Sequence, residues 1–179
     1  MLYRSSKMAT ISVKHAALMF IRVYPDGYSN AVDEDGNRAP PPPLGIVVVI
    51  ERATRDPLFK LPGGGRKNNE RPIKTAIREV LEETGLSVKE KDTTYVCHWV
   101  AQRNGVRFEK YIFVGNIEYS ELKWMGPHHS YNEGEEASFI TYDQFYELVR
   151  EGKFMSEHFR KLIEFSVILP CPPITVPSS

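Results

Sequence analysis

Glu79, Glu82 and Glu83 stand at i, i+3 and i+4 within a run of good helix formers. On a helix this spacing brings the three carboxylates together within one turn, where like charges destabilise an exposed segment by roughly 0.2–0.5 kcal/mol per pair. A hard divalent cation reverses that penalty, because Mg²⁺ takes oxygen ligands from one or two carboxylates together with substrate phosphates. An acidic helix face is more often plain solvated surface, so the neighbouring residues must decide. Gly63, Gly64 and Gly65 lie just upstream. They allow positive φ and a close backbone approach to a ligand, and they equally suit a simple tight turn.

The helix itself is well marked. Pro72 suits the first turn, Gly85 suits the position where a helix stops, and about 13 residues lie between. At ~100° per residue, Ile73, Ile77, Val80 and Thr84 form one stripe with Ala76 and Leu81 at its edges. The glutamates fall on the other side, so the helix is expected to pack by one face and present carboxylates from the other.

Gly64, five residues, Glu70, seven residues, Arg78-Glu79-Val80, one residue, Glu82-Glu83, one residue and Gly85-Leu86 together resemble the complete Nudix box. The resemblance implies an α+β fold, a mixed sheet sandwiched between helices, over a single domain spanning 1–179. It also implies hydrolysis of a nucleoside diphosphate linked to another moiety, with Mg²⁺ or Mn²⁺ as cofactor. Carried onto this chain, Glu79, Glu82 and Glu83 are the implied metal ligands, joined by the Gly63 carbonyl, and one glutamate takes the proton of the attacking water. Glu70 and Arg78 are expected to brace the box, Arg78 by pairing with Glu82 one turn on. Between Gly64 and Glu70 this chain carries Arg66, Lys67, Asn68 and Asn69 where many members have an extra acid and a glycine. That departure implies fewer ions or a different loop shape, and basic residues within reach of substrate phosphate.

The remaining elements fall in an order that suits this fold. Lys14–Tyr24 reads as a strand. Gly45–Glu51 is a β-branched run expected to be buried on both faces at the centre of the sheet. Tyr95–Gln102 and Val106–Ile117 read as a hairpin across Asn104-Gly105. Ser138–Tyr142 reads as a short strand, and Thr141 with Gln144 as a capping box that starts a helix. Ser156 is expected to cap a last helix. Eight of the 13 prolines fall in Pro40–Pro43 and Pro170–Pro177, marking residues 25–43 as a mobile loop insertion and 168–179 as a proline-rich tail. The loop 132–136 is where several relatives present a further carboxylate; Glu133 and Glu136 are the candidates here, with Glu133 taken as the catalytic one. His128 and His129 lie nearby as phosphate contacts or proton carriers.

Lys+Arg 23 against Asp+Glu 23 gives zero net charge, which excludes a polyelectrolyte that coats nucleic acid or membrane. No long nucleic acid and no membrane partner is therefore expected, and the location is taken as the cytoplasm. A homodimer is left open. The balance is uneven: residues 51–78 hold eight basic and three acidic residues, residues 118–151 eight acidic and two basic. A small nucleotide-derived anion handled through a metal fits that separation. Its identity is open among NTPs, nucleotide sugars, ADP-ribose and dinucleoside polyphosphates. Trp99, Tyr111 and Phe113 are either base-stacking residues or core. A catalytically weak nucleotide-binding or regulatory module is the alternative, which the retained Glu79, Glu82 and Glu83 oppose. The isomerase branch is opposed by the absence of cysteine before Cys97.

Overall fold

The computed structural model describes residues 13–51, 56–103, 105–125 and 135–168. Glu133, His128, His129, Asn104 and the prolines of the tail lie outside them. Among the described residues seven strands form one mixed sheet: β1 Val13–Tyr24, β2 Gly45–Glu51, β3 Leu58–Lys60, β4 Gly63–Gly65, β5 Thr93–Arg103, β6 Val106–Glu118 and β7 Glu135–Thr141. Helix α1, Pro72–Thr84, covers one face, while α2, Tyr142–Arg150, and α3, Ser156–Glu164, cover the other.

The middle of the sheet belongs to β1, not β2. β1 pairs in parallel with β6 along its whole length, from Val13 opposite Arg107 to Tyr24 opposite Glu118, and antiparallel with β2 on its other side. Alternation then splits its side chains. Met19, Ile21 and Val23 face α1 with Val47, Ala76 and Val80, whereas Leu18 and Phe20 face α2 and α3 with Ile46, Val48, Phe145 and Leu162. β2 is buried on both faces as its composition requires, with Ile46 to Val49 fully enclosed.

β1 and β2 touch only through Ile21–Val23 and Gly45–Val47, then diverge. The chain from Leu58 to Gly65 fills the opening: β3 pairs with Val49–Glu51 of β2, and β4 with Ala16–Leu18 of β1. The Pro62 carbonyl between them accepts from the Met19 amide at 2.9 Å. This wedge delivers Lys60, Gly63 and Gly64 to the acidic side of α1. From the far face His158 of α3, only 3% exposed, accepts the Leu61 N–H at its Nδ1.

Local signals explain the helices, with two corrections. Gly85 takes φ +76° and stops α1, and Thr141 and Gln144 form the reciprocal capping box of α2. Ser156 is the first residue of α3, not its cap, and Met155 precedes it without a side-chain bond. On α1 the buried side chains are Thr75, Ala76, Val80 and Thr84; Leu81, expected at the edge of the buried stripe, is 49% exposed. Residues 25–43 are not structureless: Val32 bridges Arg38, and the Asp33 carboxylate accepts the amides of Asp35 and Asn37 inside that turn.

Two consequences are measurable. A Cβ on Gly63, at φ +149°, would lie 2.3 Å from the Ala17 carbonyl oxygen and 2.7 Å from the Leu18 Cα, whereas one on Gly64 would meet only the Glu79 carboxylate end, at 2.6 Å. Gly63→Ala is expected to lower the melting temperature by roughly 10 °C, and Gly64→Ala by no more than about 3 °C; equal losses would contradict this geometry. Burial, with repulsion from Lys110, depresses the His158 pKa to about 4. The unfolded chain therefore binds the extra proton first, and stability drops as pH falls from about 6.5 to 4, by on the order of 3 kcal/mol. Denaturant titrations across that range should show His158→Gln flattening the dependence.

Candidate functional site

Arg78 organises the acidic face of α1. Its Nε and Nη2 donate to the two oxygens of Glu70, each at 3.0 Å, and Nη2 donates also to the Gly65 carbonyl at 2.9 Å. Nη1 donates to Glu79 at 2.7 Å and to Glu82 at 2.9 Å. These contacts use every donor a guanidinium has. Glu70 accepts further from the Lys67 amide and the Thr75 hydroxyl. Pairing with Arg78 chiefly, and these bonds in addition, hold its pKa down at about 2 against burial. The same pairing with Glu70 raises the Arg78 pKa. Glu70 and Arg78 thus tie loop to helix, and the Arg78–Glu82 pair expected from spacing is present.

The Gly64-to-Glu70 loop takes a shape of its own. Asn68 adopts φ +54° where the family pattern would place a glycine nearby, a conformation asparagine tolerates better than most residues. Lys67, turned back onto the helix, bonds both oxygens of Glu82 at 3.0 and 3.2 Å. Burial acts to raise the Glu82 pKa, but Lys67 and Arg78 outweigh it and the net shift is downward. Lys67 therefore meets a carboxylate of the protein itself, not an open approach for phosphate.

Glu83 lies deeper, its side chain 8% exposed. It accepts the Gly63 amide at 2.8 Å and faces Lys60 Nζ at 3.8 Å. Lys60 in turn bonds Glu135 at 2.6 Å, and the Glu135 side chain is 9% exposed. Burial pushes the Glu83 pKa well up, and Glu135 adds to the rise while Lys60 and the Gly63 amide oppose it. The other oxygen of Glu135 is buried with no hydrogen-bond partner among the described residues.

Glu135 is the residue that sequence reasoning passed over. A strand that begins at Ser138 leaves residues 132–136 in a loop, where alternation does not apply; the observed strand begins at Glu135. Starting at Glu135, β7 places Glu135 on the same face as Phe139, which packs with the α1 cluster, and Glu136 on the opposite one, where it is exposed. Of the two named candidates, Glu136 is turned away from α1 and Glu133 lies outside the described residues.

Do these residues suit a divalent ion? Among the described residues, no three His, Cys, Asp or Glu side chains are gathered into a ready cage. Each carboxylate of the box is compensated by a cation of the protein: Glu79 by Arg78, Glu82 by Arg78 and Lys67, Glu83 by Lys60. Still, the donor set is all oxygen, as Mg²⁺ and Mn²⁺ require. The buried, unpartnered oxygen of Glu135 beside Glu83 is the mark of a site short of positive charge. The residues fit the ion.

The strand aromatics pack against the two cores. Phe113 is 7% exposed within the α1 cluster and Tyr111 packs against that cluster. Trp99 packs against the opposite core and donates its indole N–H to Glu157 at 2.8 Å.

The model of the NUDIX domain matches residues 32–162. Among solved structures, a NUDIX hydrolase from Nitrosomonas europaea superposes with TM-score 0.59 at 16% identity, covering 87% of this chain and 90% of that one. A C. elegans Ap4A hydrolase, solved as a binary complex, superposes with TM-score 0.54 at 14% identity, covering 86% and 96%. No curated protein sequence matches the chain. At such identities the structural likeness speaks for the fold alone, and that fold is the sheet between helices described above. The domain match, extending over most of the chain and enclosing the whole box from Gly64 to Leu86, establishes that this protein belongs to the Nudix family of pyrophosphohydrolases.

Proposed function

We propose that the chain cleaves the pyrophosphate bond of a nucleoside diphosphate linked to a further moiety, using Mg²⁺ or Mn²⁺ held by Glu79, Glu82, Glu83 and the Gly63 carbonyl. The observation that carries this reading is the buried pair of Glu83 and Glu135, set beside two further carboxylates on one helical turn, with one oxygen left unpartnered. A fold does not bury such a pair for stability, because desolvating carboxylates is costly unless each is fully compensated. A bound divalent ion would supply charge neutralisation across neighbouring phosphates and acidify the attacking water.

The residues of the chain divide the remaining tasks. Arg78 and Glu70 keep α1 and the glycine strand in fixed relation. The Gly63 amide fixes one oxygen of Glu83 and so its orientation. In the hydrolytic step a water oxygen bonds to phosphorus, the bridging P–O bond breaks, and the water's proton passes to a carboxylate. Glu135, beside Glu83 and with one buried oxygen that takes no hydrogen bond from the described residues, is the acceptor we assign. No basic groove for a long strand is needed: Lys60, Lys67 and Arg78 are all paired with glutamates. Substrates of the NTP, nucleotide-sugar, ADP-ribose and dinucleoside polyphosphate classes all fit this chemistry. Among the described residues no helix is long and apolar enough to cross a membrane, and we place the enzyme in the cytoplasm.

A second reading, a weak nucleotide-binding or regulatory module, is favoured by one observation: the cations of the protein already compensate all three box glutamates. A substrate panel with Mg²⁺ or Mn²⁺, scored for nucleoside monophosphate, separates the two, since turnover of none of the classes would favour the module. Glu82→Gln and Glu83→Gln are expected to lower kcat by roughly 10³-fold, while the metal-free Glu83→Gln protein melts no lower than the parent. Full activity in both variants would remove the assigned site. Glu135→Gln should lower kcat by about 10²-fold and Glu136→Gln less than twofold. The reverse order would return the role to Glu136.

A further inference from the structure

The cations around the box are of two kinds. Arg78 has all its donors engaged in a planar fork, and its contacts to Glu70 and Gly65 are structural. Lys60 is different. It is a compact charge on a flexible stem, inside the site with its side chain 15% exposed, at 2.6 Å from Glu135 and at a looser 3.8 Å from Glu83. Two enclosed carboxylates share it, and among the described residues one oxygen of Glu135 is buried with no hydrogen-bond partner while one oxygen of Glu83 meets Lys60 only at 3.8 Å. By contrast Lys67, 59% exposed, reaches Glu82 from the surface, where screening leaves such a pair worth little.

We propose that Lys60 is an exchangeable internal counter-ion: it pairs with Glu83, one of the carboxylates assigned to the divalent ion, and metal loading requires it to give up Glu83. This rests on the metal-site reading above. It follows from charge and geometry together. β3 and β7 flank β2 on opposite sides, and their registers set Lys60 opposite Val49 and Glu135 opposite Glu51, which puts both side chains on the α1 face with Glu83. In a low-dielectric setting two ionised carboxylates repel strongly, and in the metal-free protein the Lys60 ammonium is the cation that offsets this repulsion. An ammonium on four methylenes can meet that need and still withdraw; a guanidinium locked by five bonds cannot.

The sign of one measurement distinguishes this from a bracing role. Mn²⁺ alone is titrated calorimetrically into the metal-free parent, Lys60→Met and Lys60→Arg at a single pH near 8, and melting is recorded with and without Mn²⁺. Removing a competing cation should tighten Mn²⁺ binding roughly tenfold, lower the metal-free melting temperature, and enlarge the rise that Mn²⁺ produces. Lys60→Arg should stay within about threefold of the parent. If Lys60 instead braces Glu83, Lys60→Met binds Mn²⁺ as weakly as the parent or more weakly, and the proposal is overturned. Lys60→Gln is read in the same way should the methionine variant fail to fold, and two unfolded variants that Mn²⁺ does not restore also overturn it. A parent protein that binds no Mn²⁺ defeats the metal-site reading itself. Binding by the parent that Glu82→Gln removes, with Lys60→Met unchanged, defeats only the role of Lys60.

Discussion

Everything at this site depends on the guanidinium of Arg78. Three glutamates within one turn repel one another, and two of them, Glu79 and Glu82, accept from a single nitrogen of Arg78. The other donors reach Glu70 and the Gly65 carbonyl, so the group that relieves repulsion on the helix also fastens the strand in front of it. A lysine could neutralise the charge but could not hold four partners in fixed directions.

That fastening matters because the glycine strand is wedged into the gap where β1 and β2 separate. Gly63 has backbone on one side and no space for a side chain; Gly64 has the Glu79 carboxylate in the place where a Cβ would go. The same residues that close the sheet therefore form the wall of the site. His158 anchors the crossing at Leu61 from behind, so α3, far away in sequence, steadies the loop from which Lys60 and Gly63 project.

Burial divides the carboxylates further. Glu82 remains near solvent under two cations, and its pKa falls; Glu83 sits beneath it beside Glu135, and its pKa rises. One helical turn thus carries acids in opposite electrostatic states. Mechanisms that bind a cation and move a proton need that difference between groups of the same type.

The box, the limits of α1, the hairpin and the Thr141 capping box follow from spacing and local chemistry, since each is decided by residues a few positions apart. So are Glu79, Glu82, Glu83, Glu70 and the Arg78–Glu82 pair, which lie on one helix or at its mouth. What pairs across the sheet was not legible. That β1 holds the centre, that Lys60 enters the site, and that Glu135 faces it in place of Glu136 all depend on strand order and register. A shift of one residue along β7 would exchange Glu135 and Glu136. Side-chain types on a helix are placed by a local period, so the carboxylates available for chemistry are legible in the order of residues; which charges meet is settled by the packing of the whole sheet, which brings distant segments into contact.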